Sequence, residues 1–206
     1  MPIVYALDGL VPVVDPTAYV HPTAVLIGDV IVGPQCYIGP GAALRGDFGR
    51  LIIGAGSNIQ DCCVVHTHPD WDTIVEENGH VGHCSILHCC ILRKNVLIGM
   101  NAVVMDGAEV GESAMIGAMA FVKVGAKIPP RTLATGIPAK VVRDLTQDEL
   151  EGKMGNTGDY QKLARRSLAT SRPVEALTAI EANRGRYSSN PADPLFSMRT
   201  KKTPQY

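Results

Sequence analysis

The stretch GHVGHCSILHCC, residues 79–90, contains three histidines and three cysteines within twelve positions. Imidazoles and thiolates are side-chain groups that zinc and related transition metals prefer as ligands. The six cysteines of the chain include two adjacent pairs, which suit neither a disulfide framework nor a C-x-x-C metal site. The histidines are therefore the stronger candidate ligands, and all six cysteines are predicted to be small packing residues.

A six-residue repeat surrounds this stretch and decides which histidines can meet. Aliphatic residues return every six positions, often followed by glycine, as in VGPQCY and IGMNAV. A helix would need a 3.6-residue period, so the pattern instead predicts short strands joined by turns, with three units in each triangular coil. Such a parallel β-solenoid stacks its aliphatic residues in ladders inside a narrow prism. The series comprises Val20, Leu26, Val32, Ile38, Leu44, Ile53, Ile59, Val65, Val81, Leu87, Leu92, Ile98, Val104, Val110, Ile116, Val122 and Ile128.

Two breaks in the repeat predict departures from the regular coil. Leu44 and Ile53 are nine residues apart instead of six, and Val65 and Val81 are sixteen apart instead of twelve. The second break contains HTHPDWDTIVEENGH, whose proline, aspartate and asparagine content predicts a protruding loop.

The chain is predicted to form three segments. A β-helix domain spans 1–143, a helical segment spans 144–187, and 188–206 is expected to be a flexible tail because it shows no periodicity. The helical segment begins at a capping box, Thr146 to Glu149, and the two glycines of GNTG are expected to interrupt it.

His66 and His88 occupy equivalent positions in the repeat, each directly after an inward aliphatic residue. With the loop removed from the count, they fall on the same face of consecutive coils, about 4.8 Å apart. His83 lies five residues before His88, which is roughly 16 Å along extended chain and near another corner. A third ligand must therefore come from a neighbouring subunit, where three-fold symmetry closes the contact and leaves the ion an open, catalytic position. His21 and His80 are expected to be solvated or hydrogen-bonded surface groups.

Composition excludes several classes of function. The net charge is −1, with 19 basic and 20 acidic residues, so the chain has no electrostatic footprint for nucleic acid. MPIVYALDGL does not have the pattern of a signal peptide, and no apolar stretch approaches the ~18–20 residues of a membrane helix. A cytoplasmic protein without membrane contact is therefore expected.

Four motifs resemble the γ-class carbonic anhydrase superfamily of hexapeptide-repeat proteins: LRGDFGR at 44–50, NIQD at 58–61, His66, and GHxxxxH at 82–88. The resemblance implies a mainly β protein, a left-handed parallel β-helix followed by a C-terminal α-helical segment. It also implies a homotrimer that shares its metal between subunits. The ion would be Zn2+, with Fe2+ or Co2+ as alternatives.

The resemblance assigns roles to individual residues. The implied site consists of His66, His83 and His88 as metal ligands, Gln60 and Tyr160 as catalytic residues, and Arg45, Asp47, Phe48 and Asp61 at the interface or in the pocket. Arg45 and Asp47 would form an ion pair between subunits. Tyr160 would lie near the metal, because the helical segment is expected to fold back along the prism.

Two positions depart from the archetypal carbonic anhydrase. Phe48 stands where the archetype has a glutamate used in proton transfer, and the loop THPDW after His66 has no glutamate either. Rapid CO2 hydration needs that proton relay, so another reaction is favoured. GHVGHCSILHCC and the DYQKL segment are more similar to the phenylacetate-degradation hexapeptide thioesterase and to its carnitine-operon relative.

The expected function is that of a metal-dependent acyl-CoA thioesterase, resembling the phenylacetate-catabolism enzyme, in which metal-bound hydroxide attacks the thioester. The alternatives are a γ-type carbonic anhydrase, a carnitine-operon accessory protein and a hexapeptide acyltransferase. The transferase generally needs one base and no metal, so three histidines in metal register disfavour it. Phe48 could offer an apolar wall to the acyl group of the acyl-CoA substrate.

Overall fold

Short strands separated by turns occupy the chain up to residue 144, and one helix follows them. The computed structural model describes residues 2–185. The elements are β1 (Ile3–Tyr5), β2 (Val13–Val14), β3 (Tyr19–Val20), β4 (Val25–Val32), β5 (Tyr37–Ile38), β6 (Ala43–Ile53), β7 (Asn58–Ile59), β8 (Val64–His66), β9 (Thr73–Val75), β10 (His80–Val81), β11 (Ile86–His88), β12 (Ile91–Leu92), β13 (Leu97–Ile98), β14 (Val103–Val104), β15 (Glu109–Val110), β16 (Met115–Ile116), β17 (Phe121–Val122), β18 (Lys127–Ile128), β19 (Thr132–Gly136), β20 (Ala139–Asp144) and helix α1 (Gln147–Thr170).

Most strands pair in parallel with the strands one coil before and one coil after, so the sheets run along the prism. One sheet has the order β20-β19-β16-β13-β10-β7-β5-β3. The other turns a corner, because the long strand β6 pairs with β8 through residues 43–45 and with β9 through residues 51–53. The fold is the predicted left-handed parallel β-helix with one C-terminal helix.

The predicted aliphatic series forms the core of the prism, and all of its members are buried. The ladder on the face that carries His66 consists of Leu26, Leu44, Val65, Leu87, Val104 and Val122, stacked in register. Each coil adds branched aliphatic area at about 25 cal/mol per Å² removed from water. The free energy of folding therefore comes from many similar layers. The stacking of these layers also fixes the register of the residue that follows each ladder position.

The two breaks in the repeat have different structural causes. The first is strand β6 itself, which continues round the corner without a turn. Gly46 is required there, since an added Cβ would lie 2.3 Å from Asp29 O on the preceding coil. At the second break, β9 resumes the coil, so the protruding loop is limited to residues 67–72.

The cysteines divide into two groups. The buried cysteines are Cys36, Cys63, Cys89 and Cys90. Burial raises the pKa of the Cys63 and Cys90 thiols to about 12, so both are protonated packing groups at neutral pH. Cys62 and Cys84 are exposed at turn positions with φ of 58° and 61°. The packing role predicted for all six cysteines is therefore wrong for these two.

Helix α1 begins at the predicted capping box. Thr146 N donates to Glu149 Oε2 at 2.9 Å, and Glu149 N donates to Thr146 Oγ1 at 3.3 Å. The helix then runs unbroken through Gly155 and Gly158, so the predicted interruption is wrong. Burial of one helix face outweighs the low helix propensity of glycine. The buried side chains of the helix are Leu150, Lys153, Thr157 and Ala164.

The helical segment is shorter than the predicted 144–187. It spans Gln147–Thr170, and residues 171–185 adopt neither helix nor strand. Residues 186–187 and the predicted tail 188–206 lie outside the described part of the chain. Within residues 2–185, no helix combines the length and hydropathy needed to cross a lipid bilayer.

Helix α1 docks on one corner of the prism through long polar side chains. Gln161 Nε2 donates to Gly56 O at 3.1 Å and to Asn78 Oδ1 at 3.0 Å. Lys153 Nζ donates to Asn78 O at 2.6 Å. Gly56 has φ +68°, and a Cβ there would lie 2.4 Å from Gln161 Nε2. This docking holds Tyr160 against the first coils of the prism.

Candidate metal centre

Two histidines on adjacent coils face each other on the larger sheet. His66 ends β8, His88 ends β11, and the two residues are paired in register. His66 Nδ1 lies 3.2 Å from His88 Nε2, and the ring centroids are 5.2 Å apart. The structure thus brings these two predicted ligands together, while metal binding by them stays a prediction.

Each of these imidazoles is held from behind by a carboxylate. His66 Nε2 lies 2.9 Å from Asp47 Oδ1, and His88 Nδ1 is hydrogen-bonded to Asp106 Oδ1. A carboxylate accepts the N–H of a neutral imidazole, which leaves the opposite nitrogen unprotonated. In these tautomers both facing nitrogens present lone pairs, an arrangement that a shared cation stabilises; without a cation, a proton on either nitrogen makes the 3.2 Å contact a hydrogen bond.

Asp106 is absent from the predicted site, although the sequence contains a signal for it. It lies 18 residues after His88, which is one coil further along the same face of a β-helix. Metal-binding histidines almost always donate their second N–H to a carboxylate, carbonyl or water. A search for an acidic residue one coil away from each histidine would have found Asp106.

The donor set fits a zinc ion. Two nitrogens bound to one tetrahedral zinc at ~2.0–2.1 Å lie about 3.3 Å apart, close to the 3.2 Å between the histidine nitrogens. A second grouping joins His88, Cys89 and Asp106, whose ligand atoms lie within 4.8 Å of one another. We favour the histidine pair, because Asp106 already holds His88 and Cys89 Sγ accepts a hydrogen bond from the His68 amide at 2.9 Å. Burial also raises the pKa of the Cys89 thiol.

Arg45 and Asp47 form an ion pair within one strand. The inter-subunit pair that the resemblance implies stays a prediction. Within one chain, the two side chains project from the same side of β6 and bond each other. Burial acts to raise the pKa of Asp47, but the hydrogen bond from His66 and the charge of Arg45 outweigh it and lower that pKa. Phe48 is 58% exposed, and its ring centroid lies 5.6 Å from that of His66. Its place at an interface or in a pocket stays a prediction.

His83 lies on the turn between β10 and β11, away from the histidine pair of its own chain. Its Nδ1 is 2.7 Å from Asp61 Oδ2, and its side chain is 39% exposed. No hydrogen bond or ring contact joins His83 to His66 or His88 within residues 2–185. One chain thus has two of the predicted ligands on one face and the third, held by a carboxylate, at another corner.

Gln60 and Tyr160 both contact His80, which lies on the other sheet. The His80 ring nitrogens lie 3.2 Å from Asn58 Nδ2 and 2.8 Å from Gln60 Nε2, and the Tyr160 ring centroid is 5.4 Å away. Burial, aided by the charge of Lys153, lowers the pKa of His80 to about 4. The prediction of a surface His80 is therefore wrong: the residue is largely enclosed, neutral and hydrogen-bonded.

The ionisation of this second cluster, His80 with Asn58, Gln60, Lys153 and Tyr160, is controlled by burial. Burial raises the pKa of Tyr160 to about 12, and the nearby charge of Asp61 adds to the effect. Burial also lowers the pKa of Lys153 to about 7. Tyr160 is therefore protonated at neutral pH. In the described residues, no hydrogen bond or ring contact joins His80 or Tyr160 to the His66–His88 pair of the same chain.

The sequence is similar to known hexapeptide-repeat proteins. Residues 89–123 match the family model for the bacterial transferase hexapeptide (six repeats). The chain is 54% identical over 182 residues to the carnitine operon protein CaiE of Escherichia coli (strain K12), which covers 88% of this chain and 93% of that protein. The CaiE protein of Proteus sp. (strain LE138) is 54% identical over 183 residues, 89% of this chain and 93% of the relative.

Solved structures agree with these sequence relatives. A candidate acetyltransferase from Bacillus cereus is 38% identical, with a TM-score of 0.81 over 82% of this chain and 98% of that one. A hexapeptide transferase family protein from Anaplasma phagocytophilum is 36% identical, with a TM-score of 0.77 over 80% of this chain and 97% of that one. The matches at 54% identity span almost the whole length of these relatives. This chain therefore belongs to the hexapeptide-repeat transferase family, in the group that contains the carnitine operon protein CaiE.

Proposed function

We propose that this protein acts on acyl-CoA thioesters at a metal centre shared between subunits. The observation that carries the proposal is the pair of facing histidine nitrogens, 3.2 Å apart, each ring backed by a carboxylate. Carboxylate–histidine–metal arrangements fix the tautomer and orientation of the ligand and raise its basicity. A purely structural pair of histidines has no need of two such partners with both lone pairs turned inward.

The third ligand in this proposal is His83 of a neighbouring copy in a homotrimer. His83 is part-exposed and held by Asp61, so it can be offered outward in a fixed orientation. A heterologous contact repeated by three-fold symmetry would join each His83 to the His66–His88 pair of the next subunit. The same contact would bring Gln60 and Tyr160 to the metal-binding face. Zn2+ suits three imidazoles best, with Fe2+ or Co2+ as alternatives.

A divalent ion held there would act as a Lewis acid towards the thioester carbonyl and water. Asp47 and Asp106 keep the two histidines in the tautomers that leave the facing nitrogens free. Phe48 presents apolar surface beside His66, which lowers the exposure of an acyl group to bulk water. The departing thiol of coenzyme A has a pKa of ~8.5 and needs no fast proton relay. Thioester hydrolysis is therefore the reaction that we favour.

Acyl transfer is the second candidate function, and the comparisons favour it. The structural relatives are described as transferases, and the curated relatives take their name from a carnitine operon. Transfer would use the same acyl-CoA and the same face of the molecule, with a small hydroxyl or amine compound in place of water. Hydration of CO2 is less favoured, because Phe48 replaces the proton-relay glutamate of the carbonic anhydrases.

Metal analysis followed by parallel assays separates these reactions. Purified protein should contain about one zinc, iron or cobalt ion per subunit. Release of free coenzyme A from short-chain, aromatic and carnitine-derived acyl-CoA in water alone would support hydrolysis. Release that depends on an added acceptor such as carnitine would indicate transfer. Metal-loaded protein that hydrates CO2 and leaves every thioester intact would overturn the proposal.

Mixed trimers test whether the site is shared. His83→Ala and His88→Ala should each lose metal as homotrimers, because each removes one ligand from every site. Co-expressed in equal amounts, they should recover about a quarter of the sites, since an intact pair and an intact His83 then meet by chance. Co-expression of His66→Ala with His88→Ala is the matched control and should recover no sites. Equal metal recovery in both mixtures would contradict the shared centre.

A further inference from the structure

A cavity of about 270 Å³ lies between the start of helix α1 and one corner of the prism, and the function proposed above does not use it. On the prism side it is lined by Asn95, Ser113 and Arg131, which occupy the same corner of three successive coils. The backbone has a positive φ, between 55° and 59°, at all three residues. On the helix side, residues of the first two turns of α1 close the cavity, and the most deeply buried charged side chain among them is Lys153.

Lys153 is a buried cation without a counter-ion. The residue is 3% exposed. Its Nζ donates one hydrogen bond, to Asn78 O at 2.6 Å, and no carboxylate forms an ion pair with it in residues 2–185. A buried ammonium group is unfavourable unless an opposite charge or further acceptors compensate it. An ammonium has three N–H donors, so Lys153 can donate two more hydrogen bonds to an anion in the cavity.

A second unsatisfied group lines the same cavity. Asn95 Oδ1 is buried and accepts no hydrogen bond, and no other buried side-chain oxygen or nitrogen in residues 2–185 lacks a partner. An orphaned buried acceptor is destabilising, and an O–H or N–H group of a ligand relieves it. A ligand suited to this cavity therefore carries negative charge for Lys153 and a hydrogen-bond donor for Asn95.

The rim of the cavity adds a second cation and a free hydroxyl group. Arg131 is exposed and forms no ion pair in the described residues, and the hydroxyl of Ser113 has no hydrogen-bond partner there. Glu151 is the one carboxylate among the lining residues, and it accepts a hydrogen bond from Gln147 Nε2 at 3.0 Å on its own helix. The lining side chains thus contribute two cationic groups against one carboxylate.

We propose that this cavity binds inorganic phosphate. The charged oxygens of the ion accept hydrogen bonds from Lys153, Arg131 and Ser113, while its P–O–H group donates to Asn95 Oδ1. Inorganic phosphate keeps at least one P–O–H group at neutral pH. Sulfate has no such group, and a phosphate monoester, with a second pKa of ~6, has lost most of its own. The orphaned acceptor therefore selects the free ion among similar oxyanions.

The site also connects phosphate to the docking of helix α1. Lys153 belongs to the helix, whereas Asn95, Ser113 and Arg131 belong to the coils. An ion that contacts both parts binds only when the helix is docked, so it stabilises the docked position by mass action. Since α1 also carries Tyr160, phosphate controls how firmly that side chain is held against the prism.

Calorimetry on the intact protein tests the site with three probes at pH 7.5 and constant ionic strength: inorganic phosphate, sulfate and glycerol 3-phosphate. Phosphate should bind several-fold more tightly than either of the other two, and it should slow amide exchange along α1. Equal affinities would show a site that responds to charge alone, and an absence of phosphate binding would show no site. Phosphate binding that leaves amide exchange in α1 unchanged would place the ion elsewhere. Each of these three results overturns the proposal.

Variants of the two cations locate the ion. Lys153→Met keeps an unbranched side chain under the helix and should weaken phosphate binding about 10-fold or more, as expected for hydrogen bonds to a charged group. Lys123→Met, an exposed lysine outside the cavity, is the matched control and should bind phosphate like wild type. Arg131→Gln, on the exposed rim, should weaken binding several-fold even if Lys153→Met loosens α1. Wild-type affinity in both Lys153→Met and Arg131→Gln would refute the site.

A third variant tests the selectivity for the P–O–H group. Asn95→Gly removes the orphaned acceptor, and glycine adopts the φ of 58° at this position without strain. The variant should bind phosphate and sulfate with equal affinity. Asn101→Gly, which has the same φ of 58° outside the cavity, is the matched control and should keep the preference for phosphate. A preference that survives in Asn95→Gly would contradict the role of Asn95 and the choice of phosphate as the ligand.

Discussion

Two histidine clusters on different faces of the same prism are built from opposite partners. On the larger sheet, His66 and His88 face each other and are backed by Asp47 and Asp106. On the other sheet, His80 lies between neutral side-chain amides and beside a buried lysine. The first cluster places two carboxylates behind its rings, which favours a cation between the facing nitrogens. The second disfavours positive charge.

The difference teaches that histidine content does not identify a metal centre, whereas the partner of the second ring nitrogen does. A carboxylate partner raises the basicity of the imidazole and orients its free nitrogen. Amide partners in a desolvated setting keep the ring neutral without directing it at a cation. His66 and His88 directly follow an inward aliphatic residue, whereas His80 directly precedes Val81, so the two kinds of histidine face different side chains on the neighbouring coils.

The largest effect should come from removing one ligand from each cluster. His66→Ala is expected to weaken metal binding more than about 100-fold, beyond the 10- to 100-fold typical of a lost second partner. His80→Ala should leave metal binding within about threefold of wild type, because it removes no ligand. Metal content after dialysis against a chelator of known affinity measures both. Similar losses in the two variants would erase the distinction between the clusters.

Removing a carboxylate sharpens the same comparison. Asp106→Asn keeps the size of the side chain but no longer favours the tautomer that points the free nitrogen of His88 inward. Metal affinity should fall about 10- to 100-fold with little change in thermal stability. Asp8→Asn, far from either cluster in the sequence, serves as the control for loss of one carboxylate. An Asp106→Asn protein with wild-type affinity would mean that the carboxylate is incidental.

The pH dependence of stability distinguishes the clusters next. His80 has a pKa of about 4 in the folded chain against 6.5 as its ordinary value. Between these values the unfolded chain binds a proton that the folded chain does not, so the free energy of unfolding rises with pH and the gain is complete above 6.5. Urea unfolding of the metal-free protein, measured with a chelator present at several pH values from 4.5 to 6.5, should show the free energy of unfolding rising by at most about 3 kcal/mol.

The replacement His80→Gln should flatten that slope, because glutamine does not titrate. His21→Gln is the matched control and should keep the slope, because the contacts given for this histidine are local, to Thr23 and to the ring of Tyr19. Protonation of carboxylates with lowered pKa values also reduces the free energy of unfolding in acid. Most of that reduction occurs below pH 4.5 and so lies outside the titrated range. An unchanged slope in His80→Gln would show that other groups produce the pH dependence.

Much of the fold follows from the six-residue period, because each aliphatic position has one inward direction in a β-solenoid. The same period predicts that His66 and His88 stack. It does not predict which residues approach from the next coil or from the helix. The support from Asp106 depends on a partner 18 residues away, and the enclosure of His80 depends on Thr157 and Tyr160 of a helix far along the chain.

Helix α1 was harder to anticipate for a related reason. Its glycines suggest interruption when local propensity is considered alone. Contacts with the prism stabilise the helix despite the low helix propensity of its glycines. Lys153 and Gln161 donate hydrogen bonds to Asn78, which lies more than 70 positions earlier in the sequence. Arg45 and Asp47 also pair within one strand, a contact that local spacing predicts and the family resemblance alone does not. Adjacent outward positions on β6 already place the two side chains together.

The smallest effect should come from the helix cap, and it tests whether the two clusters are energetically separate. Thr146→Ala removes the hydroxyl that accepts from Glu149 N, and should lower the free energy of unfolding by about 1 kcal/mol. Because α1 covers His80 and not the His66–His88 pair, amide exchange in the helix should accelerate while metal affinity stays constant. Thr178→Ala, outside any helix, should change neither quantity. A loss of metal affinity in Thr146→Ala would mean that the helix supports the metal centre as well. Because a frayed helix end has no direct contact with His66 in its own chain, such a loss would act across the subunit contact that brings Gln60 and Tyr160 to the neighbouring histidine pair.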